Sequence, residues 1–423
     1  MILANESFLL VERGKIMRAL GVIAEWNPFH DGHRYLLETV KQLSPDTPIV
    51  AVMSGNFVQR GDPALISKWE RAKSALNYGA DLVFELPLWY ATQPADYFAR
   101  GGVNALASLG VDGLFFGVES FPFNDYVTMA NWEGKHPEII QRKMRQFLLN
   151  NPNLSATERY FKALKQAQNE APCLASLNLD FQMKSNNLLG YIYCREIATW
   201  NLPIEPLPIA RLGAQHRETA NSKEVEFLSG SQIRASILGG KQDHVGKMPL
   251  ELIQAVDDLP CAGTWQIFYP LLRYRLLTAS LEELSLIYQV DEGIEHLLKQ
   301  AAKKASTMEE WLDICRSRNW SEGRLKRTAL MILLNIKNNR IKELMDYQHP
   351  QPLLLLGMTA KGQKYLRQLK KAETEDSWQI ISRVNQECER KWPEWLIADR
   401  IYRHIVYQDE HDENFSHQPI IIK

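Results

Sequence analysis

The stretch Ala19-Leu20-Gly21-Val22-Ile23-Ala24, continued without a break by Glu25-Trp26-Asn27-Pro28-Phe29-His30-Asp31-Gly32-His33, decides how the rest of the chain is read. Its first six residues are an apolar run of buried-strand type, and the Pro and Gly behind them mark a turn. Tyr35, Leu36, Leu37 and Val40 then recur at helical spacing. Strand, turn and helix in that order aim backbone N–H groups and two imidazoles at a helix N-terminus, where partial positive charge and unsatisfied donors favour a phosphate. The turn therefore reads as a nucleotide site.

The same alternation continues outward from this turn. Ile49 to Met53, Asp81 to Leu86 and Leu114 to Phe116 read as further strands, while Lys68 to Tyr78 and Pro94 to Leu109 have helical periodicity. Such βαβ units build a parallel sheet, and ligands of such sheets sit beyond the carboxyl ends of the strands. The loops Asn27 to His33, Ser54 to Arg60 and at Gly117 all lie at those ends. Residues 121–180 read as a helical insertion, Ser185 starts a helix, and Glu205 to Ile209 suggests a strand. After Gly239-Gly240 the pattern is almost wholly helical to about Tyr407. The expected organisation is a catalytic domain over 17–240, carrying the insertion, and a helical domain over 241–423.

Composition sets the remaining bounds. The chain has 423 residues, 45% apolar and 23% charged, which is ordinary for a globular protein of two or three domains. No apolar run approaches the length of a membrane span; Ala329 to Leu334 and Pro352 to Leu356 are far too short. Five scattered cysteines without a C-x-x-C pair argue for a reducing cytoplasm and against structural zinc. Residues 1–16 lack a signal-peptide pattern. Glu12-Arg13-Gly14 can be encoded by a purine-rich string just before the Met17 codon, as a bacterial ribosome-binding site would be, so Met17 is the expected start and 1–16 an extension. The net charge is −1, yet residues 316–371 carry 13 Lys or Arg against 3 Asp or Glu. That basic face points to a polyanion, with Arg318, Arg324, Lys326 and Arg327 as the expected contacts.

His30-x-Gly32-His33 is the signature shared by nucleotidyltransferases of the class I synthetase type, and its neighbours sharpen the resemblance. Gly21 to His33, Met53 to Ala64, Ser67 to Ala72, Asp81 to Pro87, Phe116 to Glu119, Ser185 to Gly190, Arg211-Leu212-Gly213-Ala214 and Leu356 to Gly362 together resemble the bacterial tRNA(Met) cytidine acetate ligase family. The resemblance implies a Rossmann-like nucleotidyltransferase core followed by a mainly helical domain. It further implies a cytoplasmic enzyme that uses ATP and acetate to acetylate the exocyclic amine of the wobble cytidine in elongator tRNA(Met). ATP is then expected against Ile23-Ala24-Glu25-Trp26-Asn27-Pro28-Phe29-His30-Asp31-Gly32-His33-Arg34-Tyr35-Leu36. Gly117, Asn186 and Arg211 would meet adenosine or ribose by the same resemblance. Partners on DNA or a membrane are not implied.

The chemistry asked of these residues is positioning and charge stabilisation rather than covalent catalysis. His30 and His33 are assigned to the triphosphate, Arg234 to the departing phosphates and Lys68 to the crevice. Magnesium is expected as companion of the triphosphate, although no acidic cluster marks protein ligands for it. Some of these residues have plain structural readings as well. Asn56, Gln59 and Arg60 can close a polar turn, Lys68 and Arg71 at i, i+3 can line a solvated helix face, and Asn186 can cap a helix. Read from the residues, three classes fit: an RNA-modifying ligase, a small-molecule adenylyltransferase, and a non-catalytic RNA-binding protein. Only the first uses both the crevice and the basic helical half.

Overall fold

The structure is a computed structural model that describes residues 18–119, 122–181, 183–211, 227–346, 349–371 and 378–422. The expected extension 1–16, the start at Met17 and Leu212-Gly213-Ala214 lie outside the described residues. Eight strands are present among the described residues: β1 (Leu20–Ala24), β2 (Ile49–Ser54), β3 (Leu82–Leu86), β4 (Gly113–Val118), β5 (Glu205–Ala210), β6 (Gln351–Thr359), β7 (Trp378–Ile381) and β8 (Ile420–Ile422). The described residues form two compact units, one from those of 18–22 and 109–211, the other from those of 23–108 and 227–422.

In the first unit β1 runs parallel to β4 through Leu20↔Gly113 and Gly21↔Leu114, and β4 runs parallel to β5 from Gly113↔Glu205 to Val118↔Ala210. Pro206 and Pro208 within β5 suit an edge strand, which need not donate on both sides. The expected insertion is helical as read, with helices Asn124–Lys135, Pro137–Asn150 and Ala156–Glu170. Glu133 ties it to the Ser185–Thr199 helix: its buried carboxylate accepts from Tyr191 Oη at 2.6 Å and Tyr160 Oη at 2.9 Å.

In the second unit β2 and β3 are parallel, from Val50↔Leu82 to Ser54↔Leu86. Every residue of both is buried, which explains their continuous apolar reading. Helix α1 (Asp31–Leu43) begins directly after the β1 turn, and α2 (Lys68–Asn77) starts at Ser67, whose side chain accepts from the Glu70 N–H. The C-terminal half is mainly helical, as expected, but among the described residues it also carries three strands. Strand β6 pairs antiparallel with β3 and parallel with β7 and β8. These C-terminal strands extend the sheet that begins with β2 and β3. Gln351 to Leu356 is buried on both faces, so it lacks the alternation that would have marked it as a strand. Thr359 fixes its far end, its hydroxyl donating to Asp81 Oδ1 at 2.7 Å.

Candidate active site

The turn after β1 is held by reciprocal caps. The Gly32 N–H donates to His30 Nδ1 at 3.1 Å and the His30 N–H to His33 Nδ1 at 3.3 Å, with ring centroids 3.7 Å apart. Both Nδ1 atoms accept, so each neutral ring carries its proton on Nε2. The Asp31 N–H donates to the Lys247 carbonyl at 3.0 Å, and the His33 and Arg34 amides to the His30 carbonyl. The chain itself thus engages the amides of the first turn. Phe29 is buried below the turn, stacked on Tyr78 with centroids 5.8 Å apart.

Asn27 and Arg234 join the turn to its surroundings. Asn27 Oδ1 accepts from the Leu65 N–H at 2.8 Å, and Arg234, on the Gly230–Leu238 helix, donates through Nη1 to the Asn27 carbonyl at 2.5 Å. Glu25 accepts from the Gln59 N–H at 2.6 Å. Its burial pushes the carboxyl pKa upward against the pull of that hydrogen bond, Arg234 and Arg60. Arg234 thus lies against the turn that carries the two histidines.

Lys68 is placed differently. The expectation that it faces the crevice is corrected: the side chain is 0% exposed, with Nζ 2.7 Å from Glu85 Oε2 and 2.5 Å from Asp399 Oδ2. Asn56 closes the same cluster, donating to Asp399 Oδ1 at 2.8 Å and accepting from the Lys68 N–H at 2.8 Å. Gly55 is required beside it, since a Cβ there would lie 2.0 Å from Glu85 Oε1. Burial pushes Glu85 up to about 7 despite Lys68. Arg71 is equally buried and donates to the carbonyls of Glu25 (2.6 Å), Ser54 (3.1 Å) and Gly55. It stitches the ends of β1 and β2 together, and burial pulls its pKa down to about 10.

The three residues expected at the adenosine gather in the first unit, at the carboxyl ends of β4 and β5. A Cβ on Gly117 would meet Arg211 Cγ at 3.1 Å, and the Arg211 N–H donates to the Val118 carbonyl at 2.9 Å. Asn186 donates through Nδ2 to Glu119 Oε1, while the Asn187 N–H donates to Glu119 Oε2 at 3.2 Å. Glu119 therefore sets the orientation of Asn186.

The four cations expected at RNA fall into distinct surroundings. Arg318 is exposed. Arg324, Lys326 and Arg327 lie on the Glu322–Leu333 helix. Lys326 sits 2.9 Å from both Asp62 and Glu322. Arg324 lies 3.7 Å over the Trp320 ring, and Arg327 is half-buried.

A model of the HIGH nucleotidyl transferase family matches residues 17–418. A tRNA(Met) cytidine acetate ligase of Lactobacillus delbrueckii subsp. bulgaricus is 34% identical over 408 residues, covering 96% of this chain and 99% of that protein. The protein of that name from Bacillus subtilis (strain 168) is 34% identical over 367 residues, with coverage of 84% and 85%. The chain belongs to the tRNA(Met) cytidine acetate ligase family. The crystal structure of Thermotoga maritima TmcAL bound with alpha-thio ATP superposes with a TM-score of 0.82 at 25% identity, covering 96% of this chain and 100% of that one. The expected fold class, a Rossmann-like core with helical additions, agrees with this likeness.

Two residues of the Lys68 cluster escaped the sequence reading. Asp399 and Trp395 reach Lys68 and Glu85 from a helix more than 300 residues away, and nothing local flags such a pairing. Arg60 was legible both as a turn residue and, from its place on the loop after β2 at the ligand end of the sheet, as a substrate-facing one.

Proposed function

We propose that this chain activates acetate with ATP as acetyl-adenylate and transfers the acetyl group to the exocyclic amine of the wobble cytidine of elongator tRNA(Met). The observation that carries the reading is the His30–His33 turn, two imidazoles fixed by reciprocal caps at the head of α1, in a chain of this family. An acetate oxygen attacks the α-phosphorus of ATP and pyrophosphate leaves with the bonding electrons. The cytosine amine then attacks the acetyl carbon, the C–O bond to AMP breaks, and the amine gives up a proton. His30, His33 and Arg234 bear on the phosphates, where donors aimed at developing charge contribute most. Ile23 to Leu36 form the cradle, and Gly117, Asn186 and Arg211 meet adenosine or ribose. Arg318, Arg324 and Arg327 belong to the RNA-facing side, whereas Lys326, expected there too, is paired within the chain by Asp62 and Glu322. Magnesium is proposed as the companion of the triphosphate, carried by its oxygens and water. Among the described residues no cluster of three or more His, Cys, Asp or Glu could hold a metal. Among them, too, no helix is long and apolar enough to cross a membrane. The proposed reaction is one on RNA, and a cytoplasmic location goes with it.

The test is incubation with ATP, labelled acetate and total tRNA, followed by nucleoside analysis. Label in N4-acetylcytidine of elongator tRNA(Met) is the expected result. ATP consumption that yields adenylylated small molecules and no acetylated nucleoside would overturn it.

A further inference from the structure

Arg327 is a half-buried cation without an anion. Its Nε lies buried with no hydrogen-bond partner among the described residues, and the charged or titratable groups that act on it are Tyr288 and two other arginines, Arg324 and Arg60. A guanidinium half withdrawn from water in this way, with its Nε cut off, is costly unless something pairs with it. The chain nonetheless builds the arrangement firmly. Gly61 has φ +79°, and a Cβ there would lie 2.7 Å from the Arg327 backbone nitrogen, so the loop after β2 is pressed directly against the Glu322–Leu333 helix. Trp265 locks that loop, donating through Nε1 to the Gly61 carbonyl at 3.0 Å. Gly323 lies between the two side chains: a Cβ on it would have Arg327 Nη1 at 3.6 Å and Arg60 Cγ at 4.0 Å. Arg324 completes the group, held flat on Trp320, bonded to the Asn319 carbonyl at 3.0 Å and only loosely paired with Asp291 at 3.8 Å. The nearer carboxylates are already engaged, Asp62 by Lys326, and Glu322 by Lys326 and Arg316.

We propose that Arg60, Arg324 and Arg327 form a binding site for a backbone phosphate of the tRNA. The proposal rests on the ligase reading and deepens it by placing RNA contact on the same loop that carries Gln59 to Glu25. Three guanidinium groups offer planar, multidentate donors to phosphate oxygens, and a phosphodiester anion supplies the charge that Arg327 lacks. Such a contact fixes register on the RNA and carries no base discrimination. Free pyrophosphate or the ATP triphosphate would offer similar oxygens, and the experiment separates these sources.

The full-length Arg327→Met and Arg60→Gln variants are compared with the wild type in three measurements. Arg327→Met should melt at or above the wild-type temperature, because it removes a buried charge without breaking a pair. The KM for tRNA should rise on the order of tenfold in either variant, and the slope of log affinity against log salt should fall by about one. Acetate-dependent ATP–pyrophosphate exchange should stay within twofold. Unchanged tRNA affinity and salt slope in both variants would overturn the site, and Arg60→Gln, on an exposed residue, decides this if Arg327→Met fails to fold. A fall in exchange would assign the arginines to nucleotide phosphates instead, which also overturns the proposal. Absence of any acetylcytidine with wild type would reject the ligase reading itself, while direct tRNA binding by the variants still judges the phosphate site.

Discussion

Two cations of the second unit show what burial of charge can mean. Lys68, in the cluster that supports the loop after β2, is enclosed by Glu85 and Asp399, and Asp399 is further held by Asn56 and Asn414. Arg327, on the helix against which the same loop packs, has no such company. A buried ion pair that is fully hydrogen-bonded is stable in itself, whereas a buried ion without a partner is held by the surrounding fold at a cost. The first therefore marks structure, and the second marks a place left for a ligand. Substitutions on the two sides should differ in sign as well as size.

The largest effect should come from the paired side. Lys68→Met strands two buried carboxylates and should cost about 3–5 kcal/mol of stability, read as a lower melting temperature. Adding Glu85→Gln should recover part of that loss. A Lys68→Met protein that melts like the wild type yet loses adenylate formation would break the comparison and return Lys68 to the crevice. His33 separates chemistry from both kinds of burial. His33→Ala should lower acetyl-adenylate formation on the order of a hundredfold, the scale of a lost transition-state donor. The missing cap should cost only about 1 kcal/mol. Adenylate formation at the wild-type rate would remove His33 from the phosphates.

This contrast also explains what could be read in advance. β1 to β5, helix α1 and the insertion helices were legible because each depends on local signals: apolar runs, turn residues and helical spacing. The strand β6 was not, because Leu353 to Leu356 is buried on both faces and an apolar run of that length suits helix and strand alike. His30, His33 and Arg234 could be singled out from motif and context, and the structure places them around a single turn. Whether a given lysine or arginine is paired was not legible at all. Lys68 meets Asp399 across 331 positions, and Lys326 meets Asp62 across nearly as many. Charge spacing along one helix says nothing about such partners.

A smaller effect tests the excess of carboxylate on the paired side. Glu413 is buried near Lys68 and Asp399, with Arg403 only at 3.8 Å, and burial pushes its pKa up to about 7. A folded-state pKa above that of the unfolded chain means that its contribution is fully present below about pH 4.5 and lost as the pH rises through about 7. Glu413→Gln should therefore melt about 2 °C higher than the wild type at pH 8, with the difference closing toward pH 5. An equal difference at both pH values would show that this carboxyl does not titrate in the native range.

The smallest effect sharpens the comparison most, because Lys326 and Arg327 are neighbours on one helix and both cationic. Lys326 spans Asp62 and Glu322 at 2.9 Å each, with its side chain 19% exposed, so its charge is balanced within the chain. These partners hold its pKa above the ordinary lysine value against the opposing effect of burial. Lys326→Met should cost about 0.5–1 kcal/mol, as partly exposed pairs do, and should lower the melting temperature slightly. It should leave the salt slope of tRNA binding unchanged, since a cation already neutralised by carboxylates releases few counterions from RNA. Arg327→Met should do the reverse on both counts. If the two variants instead weakened tRNA binding equally and flattened its salt dependence alike, pairing within the chain would not distinguish structural from ligand-facing cations. The whole basic face would then act as a diffuse field rather than through one built phosphate site.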